Sequence, residues 1–191
     1  MANFKVAYDI TIKNEGLYSV DPDDPGGETF NGISRKNWPS WDGWSVIDSA
    51  KVNGRLTITT DFMNKIAPLV FDFYRINFWN EVCGDFIPSQ SIANELFDTA
   101  VNVSVSQATK FLQAVLNILN DRGNLWYNIK EDGKFGVGTL SSMQTAIKVR
   151  GEAMVYKVLN CYQGAFYIKL MENKELNEKY IGWFNRVNTN I

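Results

Sequence analysis

Residues 15–33 read Glu15-Gly16-Leu17-Tyr18-Ser19-Val20-Asp21-Pro22-Asp23-Asp24-Pro25-Gly26-Gly27-Glu28-Thr29-Phe30-Asn31-Gly32-Ile33. Seven consecutive turn formers, Asp21 to Gly27, specify a stiff loop, because each either presets a backbone angle or caps its own turn. The loop feeds a short hairpin through Glu28 to Ile33, with Asn31 and Gly32 at its turn. Upstream, Phe4 to Asn14 contains neither Gly nor Pro and reads as a helix that stops at Gly16. A helix, a rigid acidic loop and a small hairpin therefore open the chain.

Downstream the pattern is helical. Ser34 is placed to cap a short helix ending near Pro39, followed by an aromatic loop that carries Trp38, Trp41 and Trp44. Thr60 with Asp61 opens a helical run to Trp79, in which Pro68 either kinks the run or begins a second helix. Between Pro88 and Asn102, the residues Ile92, Ala93, Leu96, Phe97, Ala100 and Val101 recur at steps of three and four, the signature of an amphipathic helix. Ser106 to Asn120 repeats it with Ala108, Phe111, Leu112, Val115, Leu116 and Leu119. A loop through Asp132, Gly133 and Gly136 follows, then a helix capped by Thr139, a longer one over Glu152 to Met171, and a closing segment from Asn177 to Asn185. The expected fold is mainly α, with at most one small β-hairpin near residues 24–33. Trp79, Trp126 and Trp183 are expected in the core.

The 191 residues include 21 acidic and 19 basic side chains, two cysteines and no histidine. Without an imidazole there is no Ser-His-Asp triad, no Cys-His pair and no histidine-held zinc, so proton transfer falls to carboxylates, lysine, tyrosine, cysteine or water. A net charge of −2 gives no basic stripe for nucleic acid. No segment approaches 18 consecutive apolar residues, so no transmembrane segment is expected. The N-terminus lacks the basic and apolar regions of a secretory signal. A chain soluble and made in the cytoplasm is expected. Cys83 and Cys161 lack CxxC spacing and read as two buried free thiols, with a disulfide between them left open.

Glu15 precedes Gly16 and the acidic loop, where Asp21, Asp23 and Asp24 can fold back toward it and Gly26, Gly27 and Gly32 allow close approach of a ligand. Paired carboxylates on a stiff loop suit glycosidic-bond cleavage, in which one protonated acid donates to the leaving oxygen and a second carboxylate directs water or stabilises positive charge on the sugar. Asp21 and Asp24 are equally explained as Asx-turn residues that shape the loop. Trp38, Trp41 and Trp44 either stack on sugar or anchor their loop. Asp98 and Asn102, four apart on one helix face, either line the cleft opposite Glu15 or brace a helix end.

Glu15-Gly16-Leu17-Tyr18, Asp21 through Thr29 and Asn31-Gly32-Ile33 resemble the N-terminal signature of glycoside hydrolase family 108. These are bacterial and phage lysozyme-like muramidases, several of them labelled secretion activator proteins. The resemblance continues through Phe78-Trp79, Leu96 to Asn102, Asp132 to Gly136 with Thr139-Leu140, and Gly182 to Arg186. Leu17 stands where that family usually has a second glycine. The resemblance implies one lysozyme-like domain over 1–191, with a catalytic segment at 1–95. The helical segment at 96–175 looks like a predicted peptidoglycan-binding module, and is read as completing the core rather than binding glycan independently.

It also implies hydrolysis of the β-1,4 bond between N-acetylmuramic acid and N-acetylglucosamine, with Glu15 as general acid. Phage lysozymes of similar layout place an aspartate nine residues after the glutamate and a threonine in the hairpin, which here are Asp24 and Thr29; Asp21 and Asp23 are alternatives. Tyr18, Asp21, Gly32, Trp41, Asp98 and Asn102 are the expected substrate contacts, and neither metal nor cofactor is implied. Peptidoglycan strands are the partner. Access to the wall would come from a holin or a secretion apparatus, for a prophage endolysin or a wall-remodelling factor acting in the periplasm. The alternative is a non-catalytic protein that holds glycan or a secretion apparatus on the same fold.

Overall fold

In the computed structural model, residues 1–12, 16–20, 27–172 and 181–187 are described, except the side chain of Trp183. Helix dominates these residues, as expected. The chain forms two compact units, one of residues 8–77 and one of residues 1–7 with 78–191.

Helix α1 (Phe4–Ile12) spans the junction between the units in sequence. Its start is capped by Asn3, whose Oδ1 accepts the Lys5 amide at 2.9 Å, the usual remedy for an orphan N–H. In the first unit, β1 (Tyr18–Val20), β2 (Glu28–Phe30) and β3 (Ile33–Ser34) form an antiparallel sheet, with Tyr18 opposite Phe30 and Phe30 opposite Ile33. Asn31 and Gly32 both take positive φ (43° and 76°), the backbone of a two-residue hairpin whose twist matches its strands. Phe30 and Ile33 are buried, so the register is set by which face meets the core.

No helix begins at Ser34. Residues 35–37 form a turn, and the short helix α2 (Gly43–Ser49) follows the aromatic loop instead. Ser34 is buried, and its Oγ accepts the Asn37 amide at 3.3 Å in that turn. A second ribbon, beyond the one hairpin expected, joins β4 (Lys51–Val52) to β5 (Arg55–Leu56). Its turn, Asn53-Gly54, also takes positive φ at both residues, 50° and 77°. Helix α3 (Thr60–Tyr74) is capped by Thr59 and runs unbroken through Pro68. Pro68 and Asn64 are both exposed, so water can satisfy the carbonyl that Pro68 leaves without a donor. One π-helical turn, Arg75–Trp79, continues it into the second unit and ends on the fully buried Trp79.

In that second unit, α4 (Gln90–Asn102), α5 (Val105–Leu119), α6 (Val137–Arg150) and α7 (Glu152–Met171) pack together, and a 3-10 turn (Ile181–Arg186) follows. Ile92, Ala93, Leu96, Phe97 and Ala100 are buried, as their spacing requires. Val101 and Leu119 lie at the edge of that face, half-buried. Ser89 both caps α4, accepting the Ile92 amide, and donates to Glu152 Oε1 at 2.6 Å. Thr139 is not a cap: α6 begins two residues before it, and Thr139 is buried inside the helix. The Gln113 amide meets its hydroxyl there, a long-range partner that a local capping reading does not contain. The thiols also depart from expectation. Both are free, but Cys83 is half-buried and Cys161 exposed. Trp126 is half-buried, not fully in the core.

Candidate active site

The hairpin that follows the acidic loop is rigid. Tyr74 of α3 donates its hydroxyl to the Asn31 carbonyl at 2.7 Å and pins the turn containing Gly32. Thr29, half-buried in the middle strand, donates its Oγ1 to the Gly27 carbonyl at 3.3 Å. Burial raises the Tyr18 phenol pKa, as does the hydrogen bond that its hydroxyl donates to Glu28 Oε1 at 2.9 Å. Tyr18 and Thr29 thus share one small sheet, with Gly32 in the turn between its second and third strands. Glu15, Asp21, Asp23 and Asp24 lie outside the described residues.

Glu28 anchors a charge network that sequence reasoning missed. Arg35 Nε and Lys51 Nζ approach its two oxygens at 2.7 and 2.8 Å, and both cations also hold Asp48. The guanidinium lies over the Trp44 ring at 4.5 Å, a cation–π contact. Hydrogen bonds from Arg35 and Lys51 pull the Asp48 carboxyl down to about 2. Glu28 is therefore committed to joining β2 to the β4–β5 ribbon rather than to chemistry. Only the Asn53-Gly54 signal, which predicts that ribbon, could have brought Lys51 toward it in advance.

The three tryptophans divide by role. Trp44 is buried and donates Nε1 to the Trp38 carbonyl at 2.7 Å. Trp41 is half-buried, and Trp38 is 38% exposed. Trp38 and Trp41 line an open cleft of about 500 Å³ together with Asp42, Phe73 and Asp72.

Asp98 and Asn102 belong to the other unit. Asp98 Oδ1 takes the Arg186 guanidinium at 2.8 Å, and Asn102 Nδ2 donates to the Asp98 carbonyl at 2.7 Å. Both contacts brace helix ends. One turn before Asp98 is a carboxyl that spacing should have flagged. Glu95 sits on the apolar stripe of α4, 6% exposed, and burial followed by the nearby Asp98 charge pushes its pKa up to about 8. It is a neutral acid at pH 7, but its burial puts it beyond reach of a polymeric glycan.

The Asp132-Gly133-Lys134 turn is held from α5. Gln113 Oε1 accepts the Gly133 amide at 2.9 Å, and Asp132 Oδ1 accepts the Lys134 amide at 3.0 Å. Gly133 has φ of 74°, and a Cβ there would lie 2.3 Å from Ser106 Oγ, so glycine is required. Among the described residues, no three His, Cys, Asp or Glu side chains form a group able to hold a metal ion.

The family model for glycosyl hydrolase 108 matches residues 8–103, half of the chain. The chain belongs to glycosyl hydrolase family 108. Residues 107–188 match a second model, described as a predicted peptidoglycan domain. A solved structure from Brucella abortus, that of SagA, superposes with a TM-score of 0.65 at 24% identity, covering 96% of this chain and 88% of the other. That likeness bears on the fold. No curated protein shows a significant match. A family-108 segment followed by a peptidoglycan segment gives this chain a peptidoglycan-directed role, as hydrolase or binder acting at the wall. No helix among the described residues is long and apolar enough to cross a membrane.

Proposed function

We propose that this family-108 protein is a muramidase that cuts the β-1,4 bond between N-acetylmuramic acid and N-acetylglucosamine. Glu15 is the general acid. It is protonated when substrate binds, and passes its proton to the glycosidic oxygen as the bond breaks. Asp24, together with the Thr29 hydroxyl of the hairpin, directs the water or stabilises the positive sugar; Asp21 belongs to the same run of sequence. Tyr18, Gly32 and Trp41 contact the glycan. Residues 1–95 carry the chemistry, and residues 96–175 complete the fold. The protein works in the wall after holin release or export, as an endolysin or a remodelling factor for a secretion apparatus.

The observation that carries this reading is the family match across residues 8–103, which includes the whole block from Glu15 to Ile33. The rival, glycan binding without catalysis, draws on the match at 107–188 and on Leu17, 43% exposed in place of a glycine. Glu15→Gln is expected to keep the wild-type melting temperature and to lose at least 100-fold in muropeptide release from purified walls, since a positioned acid contributes about 10²–10⁴-fold. Release by wild type that Glu15→Gln leaves intact removes Glu15 from the mechanism. No release by folded wild type favours the binding protein.

A further inference from the structure

The cleft beside the aromatic loop is built before any ligand arrives. Trp41 donates Nε1 to the Leu69 carbonyl at 3.4 Å and sets its ring edge-to-face against Trp44, with centroids 5.1 Å apart. Gly43 makes this possible, because a Cβ there would lie 2.3 Å from the Trp41 ring. Trp38 packs edge-to-face on Phe73 at 4.9 Å and is the most exposed of the three indoles. Two rigid indoles therefore wall a hollow of about 500 Å³, within the size range of small-ligand sites. The C–H bonds on one face of a pyranose are weakly positive and complement the negative face of an indole.

Charge narrows the ligand further. Asp42 and Asp72 both line the cleft, and no Lys or Arg is among its lining residues. Asp42 occupies the N-cap position of α2, yet its carboxylate makes no capping hydrogen bond. Asn77 also lines the cleft, its Nδ2 donating to the Phe73 carbonyl at 2.8 Å. Carboxylates accept hydrogen bonds from sugar hydroxyls and from an acetamido N–H, but repel another carboxylate. The two alternating sugars of peptidoglycan differ in this respect: muramic acid carries a 3-O-lactyl group that bears the stem peptide with its carboxylates, or a free carboxylate where the peptide has been removed, and glucosamine carries only a hydroxyl there.

We propose that this cleft is a glycan subsite that accepts N-acetylglucosamine and rejects N-acetylmuramic acid with its anionic lactyl or lactyl-peptide substituent, so that it sets the register in which a strand lies on the protein. The proposal rests on the peptidoglycan-directed reading of the chain. It is tested by titrating the full-length protein, carrying Glu15→Gln to prevent turnover, with chitotetraose and with N-acetylmuramic acid, following tryptophan fluorescence and calorimetric heat. Chitotetraose is expected to bind at least tenfold more tightly than N-acetylmuramic acid. Trp38→Ala should weaken chitotetraose at least tenfold, while Trp38→Phe restores part of the loss. Asp42→Asn with Asp72→Asn, both at exposed positions, should leave the melting temperature unchanged and cut the preference at least threefold. Raising salt should do the same in the parent protein, because exposed charges are screened.

Chitotetraose affinity indifferent to Trp38→Ala overturns the proposal. So does a sugar preference indifferent to the two Asp→Asn changes, which remain informative even if Trp38→Ala does not fold. Muropeptide release by wild type is measured separately. Its absence beside intact cleft binding sinks the muramidase reading alone, and its presence beside an inert cleft sinks this proposal alone.

Discussion

Glu95 shows how one residue can behave against its type. It lies on the stripe of α4 that also carries Ile92, Leu96 and Thr99, all buried, and one of its oxygens has no hydrogen-bond partner among the described residues. Asp98 on the same helix and Tyr167 on α7 share its surroundings. Burial disfavours the carboxylate, so the folded pKa of about 8 stands above the ordinary value of 4.5. The sign follows from proton binding: the folded state holds the proton more tightly, so Glu95 supports folding fully below pH 4.5, and that support fades as pH rises toward 8. Glu95→Gln, which keeps shape and loses the titration, should raise the melting temperature at pH 8 by roughly 5–10 °C, given about 2–4 °C per kcal/mol for a chain of this size. At pH 5 the gain should be much smaller. Thermal scans of both proteins across pH 5–9 check it, and parallel curves would show that Glu95 does not titrate in this window.

At the scale of elements, the turn at 131–136 is held by two side chains of α5, Gln113 and Asn117. Gln113 is 2% exposed, and its amide reaches Asp132 Oδ1, the Lys134 carbonyl and Thr139 Oγ1 at 3.2–3.3 Å while its oxygen holds the Gly133 amide. Four residues on, Asn117 repeats the clasp, donating to the Ile129 carbonyl and accepting its amide, both at 2.9 Å. One face of α5 therefore supplies the hydrogen bonds that a loop cannot make for itself. Gln113→Ala should cost about 1–3 kcal/mol, because it takes a partner from the buried Thr139 hydroxyl and releases the half-buried Gly133 amide. Urea unfolding measures the loss, and faster exchange of the Gly133 amide localises it. Much of this element was legible in advance: Asp132, Gly133 and Gly136 announce the turn, and the spacing from Ala108 to Leu116 announces the helix beneath it. The clasp was not. Nothing local distinguishes a glutamine facing solvent from one facing a turn twenty residues away. The same limit made Thr139 look like a cap.

At the scale of the molecule, the first seven residues belong with the last hundred. Phe4 is 3% exposed and packs on Trp79 and Phe97, with centroids 5.5 and 5.6 Å away. The Ala2 amide donates to the Ile87 carbonyl, and Asn3 exchanges hydrogen bonds with Gln90. The segment 8–77 thus interrupts a unit whose core needs both sides of the interruption. Phe4→Ala should cost about 3–5 kcal/mol, the usual range for emptying an aromatic site. A fragment starting at residue 78 should keep its far-ultraviolet helical signal but lose near-ultraviolet ellipticity and bind a hydrophobic dye. Native-like packing in that fragment would show that Phe4 merely covers the core.

Several properties follow from the order of residues alone. The missing histidine removes imidazole chemistry whatever the fold. The spacing of apolar residues places α4 and α5, since a 3.6-residue repeat is a local property of the chain. The run from Glu15 to Ile33 carries the family, because a long string of specific residues identifies relatives without reference to space. Tertiary structure decided the rest. It separated Trp44, buried in the first turn of α2, from Trp38, exposed at a cleft in the loop before it, although only six positions divide them in sequence. It committed Glu28 to Arg35 and Lys51, and it made Glu95 a buried neutral acid. Burial and charge pairing depend on partners brought close by folding, and neither composition nor spacing records which residues those will be.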